Sequence, residues 1–180
     1  MRTPEDLPPP GGELIRFGSV ASVDLAAARC TVRVGDLESG PIRWIENRAG
    51  ATRTWSPPSV GEQVVLLCPD GELEAGIALR GAVCEAFGPP GSSLRELIRF
   101  KDGAEIAYDP ETHFLEAVLP AGATTAIVSP GGISIDAGEG GVHIRGDVAV
   151  DGDVVATGIS LVQHRHGGVS AGTSQTGAPA

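Results

Sequence analysis

The sequence is poor in aromatic side chains, which make up 4% of its 180 residues, and it contains only three cysteines. It also lacks any apolar run long enough to cross a bilayer, and residues 1–6 have none of the apolar character of a signal peptide. These absences disfavour an integral membrane protein and a disulfide-stabilised secreted domain. We expect a chain that is made, and at first kept, in the cytoplasm.

The cysteines are odd in number, widely spaced and set among Val, Leu and Ala. Cys30, Cys68 and Cys84 are therefore predicted to be buried free thiols rather than a disulfide framework or a zinc site.

Basic residues become scarce in the second half of the chain. The net charge is -10, and after residue 101 the only basic side chains are Arg145 and Arg165. An acidic chain of this kind disfavours general nucleic-acid binding. All seven aromatic residues precede position 115, so the C-terminal third has no large side chains with which to fill a core of its own.

Short β patterns separated by turn residues dominate residues 14–87. Alternation and compact apolar runs predict strands at residues 15–24, 29–35, 42–46, 63–68 and 74–82. Five short strands in this length indicate a small closed barrel of the oligonucleotide/oligosaccharide-binding (OB) type. A proline-rich extended segment, residues 1–13, precedes the barrel, and a linker, residues 88–101, follows it.

Minimal apolar/polar alternations then recur through a predicted shaft, residues 102–162. A hairpin is expected over residues 98–109, and further strands at residues 114–119, 124–128, 133–136, 142–145, 148–151, 154–155 and 159–161. Tiny strands with Gly or Asp at the corners are typical of a β-helix or β-prism. Because side chains this small bury little surface, we expect three chains to intertwine around one core as a homotrimer. The predicted fold is thus all-β throughout.

Two histidines two positions apart mark the predicted tip, residues 163–180. In an extended strand His164 and His166 share a face while Arg165 points away. Two nitrogens cannot enclose a transition metal, but a threefold axis beside this strand would gather six, an octahedral shell suited to iron, nickel or a similar ion. An ordinary pair of surface histidines explains the H-x-H spacing alone equally well.

Three segments carry a family resemblance: LIRFGSV at residues 14–20, WSPPSVGEQVVLL at residues 55–67 and HRHGGV at residues 164–169. Together with the acidic β shaft, they resemble the baseplate assembly protein V family, the central spike proteins of contractile phage tails. The resemblance runs over nearly the whole chain from Leu14. The shaft is short, and residues 170–180 contain no further candidate ligand.

The resemblance implies an OB-type barrel that contacts the baseplate hub and tail tube, followed by a trimeric β-helix that narrows to a point. It implies one iron ion per trimer, held near the apex by His164 and His166 of three chains. It also implies a non-enzymatic role in the virion tail baseplate, after assembly in the bacterial host cytoplasm. There the spike would be driven through the outer membrane of a Gram-negative host when the sheath contracts.

Three other functions remain open. A trimeric β-helix enzyme of the hexapeptide acyltransferase type would have His143 as its candidate catalytic residue. A type VI secretion spike is related, but it usually carries a large hub domain that this sequence lacks. A nucleic-acid-binding barrel would stack bases on Trp44 and Trp55. Its basic residues would be Arg16, Arg29, Arg33, Arg43, Arg48 and Arg53.

A calcium site is a minor alternative. Its candidate ligands are Asp136, Asp147, Asp151 and Asp153. The surrounding segment does not repeat with the nine-residue glycine pattern of calcium-binding β-rolls, which disfavours this interpretation.

Overall fold

A computed structural model describes residues 14–168 and Gly172, and it is all-β there apart from two three-residue 3-10 turns, Pro69–Gly71 and Gly138–Gly140. The described residues divide into two compact units between Thr125 and Ala126. The expected N-terminal segment, residues 1–13, and most of the tail after Gly168 lie outside the described residues. None of the helical segments that are described has the length and apolar character needed to span a membrane.

Six strands of the first unit form one sheet in the order β3-β2-β1-β5-β6-β4. Their bounds are β1 Ile15–Asp24, β2 Arg29–Val34, β3 Leu37–Glu38, β4 Arg43–Trp44, β5 Gln63–Leu67 and β6 Ile77–Leu79. All neighbours are antiparallel except β4 and β6, which run parallel. An antiparallel bridge between Cys30 and Ile42 joins β2 to the start of β4, and this closes the sheet into a barrel.

The five strands predicted for the barrel are all present. β1 has the predicted bounds, and β2 and β5 each end one residue earlier than expected. β4 and β6 are shorter than predicted, because only residues with a hydrogen-bonded partner on a neighbouring strand form strand. β3 was not predicted, because a strand of two residues shows no alternation of apolar and polar side chains.

Inward-facing side chains of these strands fill the barrel core. The core residues are Val20, Cys30, Val32, Ile42, Trp44, Val64, Leu66, Cys68 and Ala78. Two of the three thiols, Cys30 and Cys68, are buried as predicted, whereas Cys84 is half-buried; all three are free. Burial is the main cause, and the charge of Glu62 the lesser one, of a raised pKa at the Cys30 thiol, so this cysteine stays protonated and inert.

Gly18 lets two strands of the barrel approach closely. A Cβ atom there would lie 2.6 Å from Cγ1 of Val32 and 2.7 Å from the carbonyl oxygen of Arg33. Only glycine fits this position, because the second contact is with backbone that cannot move aside.

A second sheet of three antiparallel strands also belongs to the first unit. It consists of β7 Glu96–Arg99, β8 Glu105–Asp109 and β9 Phe114–Val118, in the order β7-β8-β9. The predicted hairpin over residues 98–109 and the following strand are therefore confirmed. β7 lies within the segment that we expected to be a linker.

The second unit has no buried side chain among its described residues: all are exposed except Ser160, which is half-buried. Its strands in this part of the chain are β10 Val155–Ala156 and β11 Ile159–Ser160, which form a hairpin. The strands expected at residues 124–128, 133–136, 142–145 and 148–151 do not form, so those predictions are wrong for the single chain. Strands need hydrogen-bonded neighbours, and one chain supplies none to these segments.

Candidate functional site

The two histidines at the predicted tip lie beside each other. The ring centroids of His164 and His166 are 5.1 Å apart, with the planes at 79°. Both side chains are exposed, and residues 164–166 form no strand in the single chain. The predicted pair thus comes together, although through a turn over residues 161–163 rather than along an extended strand.

The backbone before the pair orients the first imidazole. Nδ1 of His164 lies 3.1 Å from the carbonyl oxygen of Ser160 and 3.0 Å from that of Leu161. A carbonyl oxygen only accepts hydrogen bonds, so Nδ1 carries a proton, and in the neutral ring Nε2 is then the nitrogen with the free lone pair. An imidazole held in this tautomer has its outer nitrogen ready to bind a metal.

A tight hairpin supports this turn. Between β10 and β11 the two turn residues, Thr157 and Gly158, both have positive φ, as a type I′ turn requires. The carboxylate of Asp153 accepts hydrogen bonds from the hydroxyl of Ser160 and the amide of Val162. The Ser160 hydroxyl is the main cause of a lowered pKa at Asp153, so the carboxylate is ionised where it holds the base of the turn.

Within the described part of one chain, no third ligand joins the histidine pair. Across residues 14–168 and Gly172, no group of three or more His, Cys, Asp or Glu side chains is placed to hold a metal. The four aspartates weighed for calcium therefore do not converge there. Asp136 instead accepts the amide of Gly138, and Asp153 supports the tip hairpin. His143, the candidate for an enzyme, is exposed and lies in no regular element.

The barrel carries a second candidate site, an apolar outer face that we call the docking face. Strands β1, β5 and β6 pair so that two rows of outward side chains lie side by side. The rows are Ile15, Leu67 and Ile77, and then Phe17, Val65 and Leu79. Ile15 and Phe17 are 62% and 65% exposed. The inward neighbours Val64 and Leu66 are fully buried, so this sheet is apolar on both sides.

The outer face of the neighbouring strands, from the end of β1 across β2 to β3, carries a polar cluster. The Ser22 and Thr31 hydroxyls are 2.8 Å apart, and Thr31 donates to Glu38 at 2.9 Å. Glu38 also pairs with Arg33 at 3.3 Å. The contrast between the two faces distinguishes the docking face from ordinary barrel surface. The sequence signalled it at residues 64–67, an uninterrupted apolar run that predicts a strand apolar on both faces.

A hydrogen-bonded loop presents an exposed tryptophan beside the barrel. Trp55 is 59% exposed, and its ring centroid is 5.5 Å from that of buried Trp44. Glu46 Oε1 accepts the Trp44 indole N–H and the Ser56 amide, both at 2.9 Å, and Oε2 accepts the Thr54 hydroxyl at 2.9 Å. The loop that carries Trp55 is therefore held in one conformation.

Arg80 completes this arrangement from the end of β6. Its guanidinium donates to the carbonyl oxygens of Ile45 and Ser56, and it lies 3.4 Å from Glu46. Burial acts to raise the pKa of Glu46, but the hydrogen bonds from Ser56, Trp44 and Thr54 and the charge of Arg80 outweigh it and lower that pKa. No local sequence pattern marks Glu46 or Arg80 as functional, because the two residues are 34 positions apart.

Trp44 and three of the arginines weighed for nucleic-acid binding have other contacts in the barrel, whereas Trp55 is exposed. Trp44 belongs to the core and is unavailable for base stacking. Arg33 pairs with Glu38, Arg29 donates to the carbonyl oxygens of Ala27 and Ala28, and Arg16 lies 3.5 Å from that of Gly71.

The barrel and the tip each match a known protein family. Residues 16–82 match a family described as the type VI secretion system/phage-baseplate injector OB domain. Residues 158–180, which include both histidines, match the GpV Apex motif. The chain is also similar to the spike protein of Escherichia phage P2, with 34% identity over 196 aligned positions that cover 92% of each chain.

Proposed function

Because the chain belongs to the phage baseplate assembly protein V family of spike proteins, we propose that it is a non-enzymatic central spike that pierces the host outer membrane. The relative matched over 92% of both chains is a phage spike, which favours a phage tail over a type VI secretion system. The spike would assemble in the bacterial host cytoplasm and function in the virion tail baseplate during sheath contraction.

The observation that carries this proposal is the absence of a core in residues 126–168. Large and medium apolar side chains recur there at alternate positions, and all of them are exposed in one chain. A polypeptide cannot keep so much apolar surface in water as a stable fold. Three copies that intertwine as a β-helix or β-prism would bury these side chains in one shared core and would leave no free strand edges along the shaft.

The histidine pair suits a shared metal ion at the end of such a trimer. One chain offers two imidazole nitrogen donors, which is too few to enclose a transition metal, whereas three chains would offer six. We propose that His164 and His166 of three chains hold one iron ion. The ion, when bound, would crosslink three chain ends that otherwise carry few packing contacts.

The docking face of the barrel suits a partner in the baseplate. A spike must be fastened to the hub and tail tube, and an exposed apolar face of this kind has the composition of a protein interface core. We propose that this face, rather than the polar face around Thr31, contacts the hub. The strong excess of acidic residues in the shaft disfavours adhesion to anionic lipopolysaccharide as the spike passes.

Elemental analysis of the purified chain tests the proposed tip. We expect one iron per three chains in the wild type and none in the His164→Ala/His166→Ala variant, with the trimer retained. A matched control is His143→Ala, which removes an exposed shaft histidine and should leave the iron content unchanged. A trimeric wild type without metal would show that the two histidines are ordinary surface residues and would contradict the metal part of the proposal.

A further inference from the structure

The β10-β11 hairpin ends beside the turn that carries His164. Beyond its paired strands one further backbone hydrogen bond runs from the amide of Leu161 to the carbonyl oxygen of Val154, at 2.9 Å. Asp153 precedes Val154, so the antiparallel register brings Asp153 opposite the residue that follows Leu161. Its side chain is therefore placed to hold the turn at the point where the hairpin ends.

The backbone amides of the turn change their partners there from backbone to side chain. The Val162 amide donates to Oδ1 of Asp153 at 3.1 Å, and the Gln163 amide donates to the hydroxyl oxygen of Ser160 at 2.8 Å. The His164 amide then donates to the carbonyl oxygen of Ser160 at 3.1 Å. Two side chains thus satisfy the backbone of an exposed turn and fix its conformation.

These two side chains are also bonded to each other. The Ser160 hydroxyl donates to the Asp153 carboxylate while its oxygen accepts the Gln163 amide, which fixes the orientation of the hydroxyl. The carbonyl oxygens of Ser160 and Leu161 are the groups that meet Nδ1 of His164. One connected set of hydrogen bonds therefore runs from the Asp153 carboxylate to the first imidazole of the tip.

We propose that Asp153 is a positioning residue for the metal site at the tip, because it holds the turn whose carbonyl oxygens keep a proton on Nδ1 of His164. In the neutral ring Nε2 is then the nitrogen that remains for the ion. Asp153 acts through Ser160 rather than as a ligand, since within the described residues it forms no metal-binding group with the two histidines. This inference rests on the proposed iron site and names the residue that prepares it.

Titration of the metal-free, full-length protein with ferrous iron tests this role. Asp153→Ala should weaken iron binding by about tenfold, as expected for the loss of a group that orients a metal ligand. Asp153→Asn keeps an oxygen that can accept the Val162 amide and should bind iron within about threefold of the wild type. The solution mass of each variant should equal that of the wild type.

A matched control removes the same charge from the same exposed segment. Asp151 lies two positions earlier, and the described part of the chain shows no hydrogen bond to its side chain. Asp151→Ala should leave iron binding within about twofold of the wild type, because an exposed charge at this position interacts only weakly with the ion.

The tautomer of His164 is a readout that a general loss of stability would not change. In the metal-free protein at about pH 8, where imidazoles are neutral, nitrogen-15 NMR of the rings distinguishes the two tautomers. The wild type should carry the His164 proton on Nδ1, and Asp153→Ala should show a mixture of both forms. His143 is exposed and lies outside the hairpin, so its ring is the internal reference and should be the same in both proteins.

Iron binding equal to that of the wild type, or an unchanged His164 tautomer, in Asp153→Ala would overturn the inference while the proposed iron site stands. Equal weakening by Asp153→Asn or by Asp151→Ala would also overturn it, because charge rather than hydrogen bonding would then be responsible. A wild-type trimer that binds no iron would contradict the iron site itself, and this inference with it.

Discussion

At the scale of single residues, the histidine pair could be found from the sequence, whereas the cluster around Glu46 could not. His164 and His166 stand out because their spacing is local, and the structure brings their rings to 5.1 Å. Glu46 does not stand out, because its function depends on Arg80 from a distant strand. Residues that act through long-range partners cannot be found from periodicity or spacing.

We predict that Glu46→Gln lowers the free energy of unfolding at pH 7 by about 1–3 kcal/mol. The Glu46 side chain is only 11% exposed, and the substitution removes the negative charge that three hydrogen-bond donors and Arg80 surround. Because folding lowers the pKa of Glu46, its carboxylate stabilises the fold fully above the pKa of a glutamate in the unfolded chain, about 4.3. This stabilisation is lost as pH falls through the pKa of Glu46 in the folded chain. The difference between wild type and variant should therefore shrink below about pH 4.

Urea unfolding at pH 7 and at low pH measures this difference. Glu38→Gln is the matched control, since Glu38 is 45% exposed and its pair with Arg33 contributes under about 1 kcal/mol. Equal destabilisation by the two variants at pH 7 would show that the Glu46 cluster adds nothing beyond a surface ion pair.

At the scale of elements, the barrel was predictable and the shaft was only partly so. β1, β2 and β5 were found because alternation or apolar runs lie between clear turn residues. The later part of the shaft has the same alternation, but a single chain gives most of its segments no ladder partner, so among residues 126–168 strands form only at the β10-β11 hairpin. Local pattern specifies which face is apolar; partners decide whether a strand forms.

The docking face gives the element-scale prediction. Phe17→Lys should weaken binding of the chain to the purified baseplate hub of the same phage by at least about tenfold, because it buries a charge in an apolar contact. Ser22→Lys is on the same strand, at an exposed position within the polar face, and should bind as the wild type does. The fold should persist in both, since neither side chain belongs to the barrel core.

Equilibrium binding with immobilised hub compares the two variants directly. Loss of binding in Ser22→Lys with full binding in Phe17→Lys would place the hub on the polar face instead.

At the scale of the whole molecule, the composition indicates that the C-terminal part of one chain cannot form a core by itself. Aromatic side chains stop at Phe114, and beyond residue 125 the structure describes no buried side chain. The first unit has a core of its own, whereas the second has the apolar pattern of a core without the neighbours to form one. The proposed association of identical chains would supply those neighbours, and it would also give the histidine pair enough partners to hold a metal.

The most direct test of this interpretation is the mass of the full-length wild-type chain in solution, measured by light scattering at low micromolar concentration. We predict three times the 18.3 kDa of one chain, unchanged on dilution. A mass of one chain, with residues 126–168 still folded by hydrogen exchange, would contradict the shared core and with it the proposed spike.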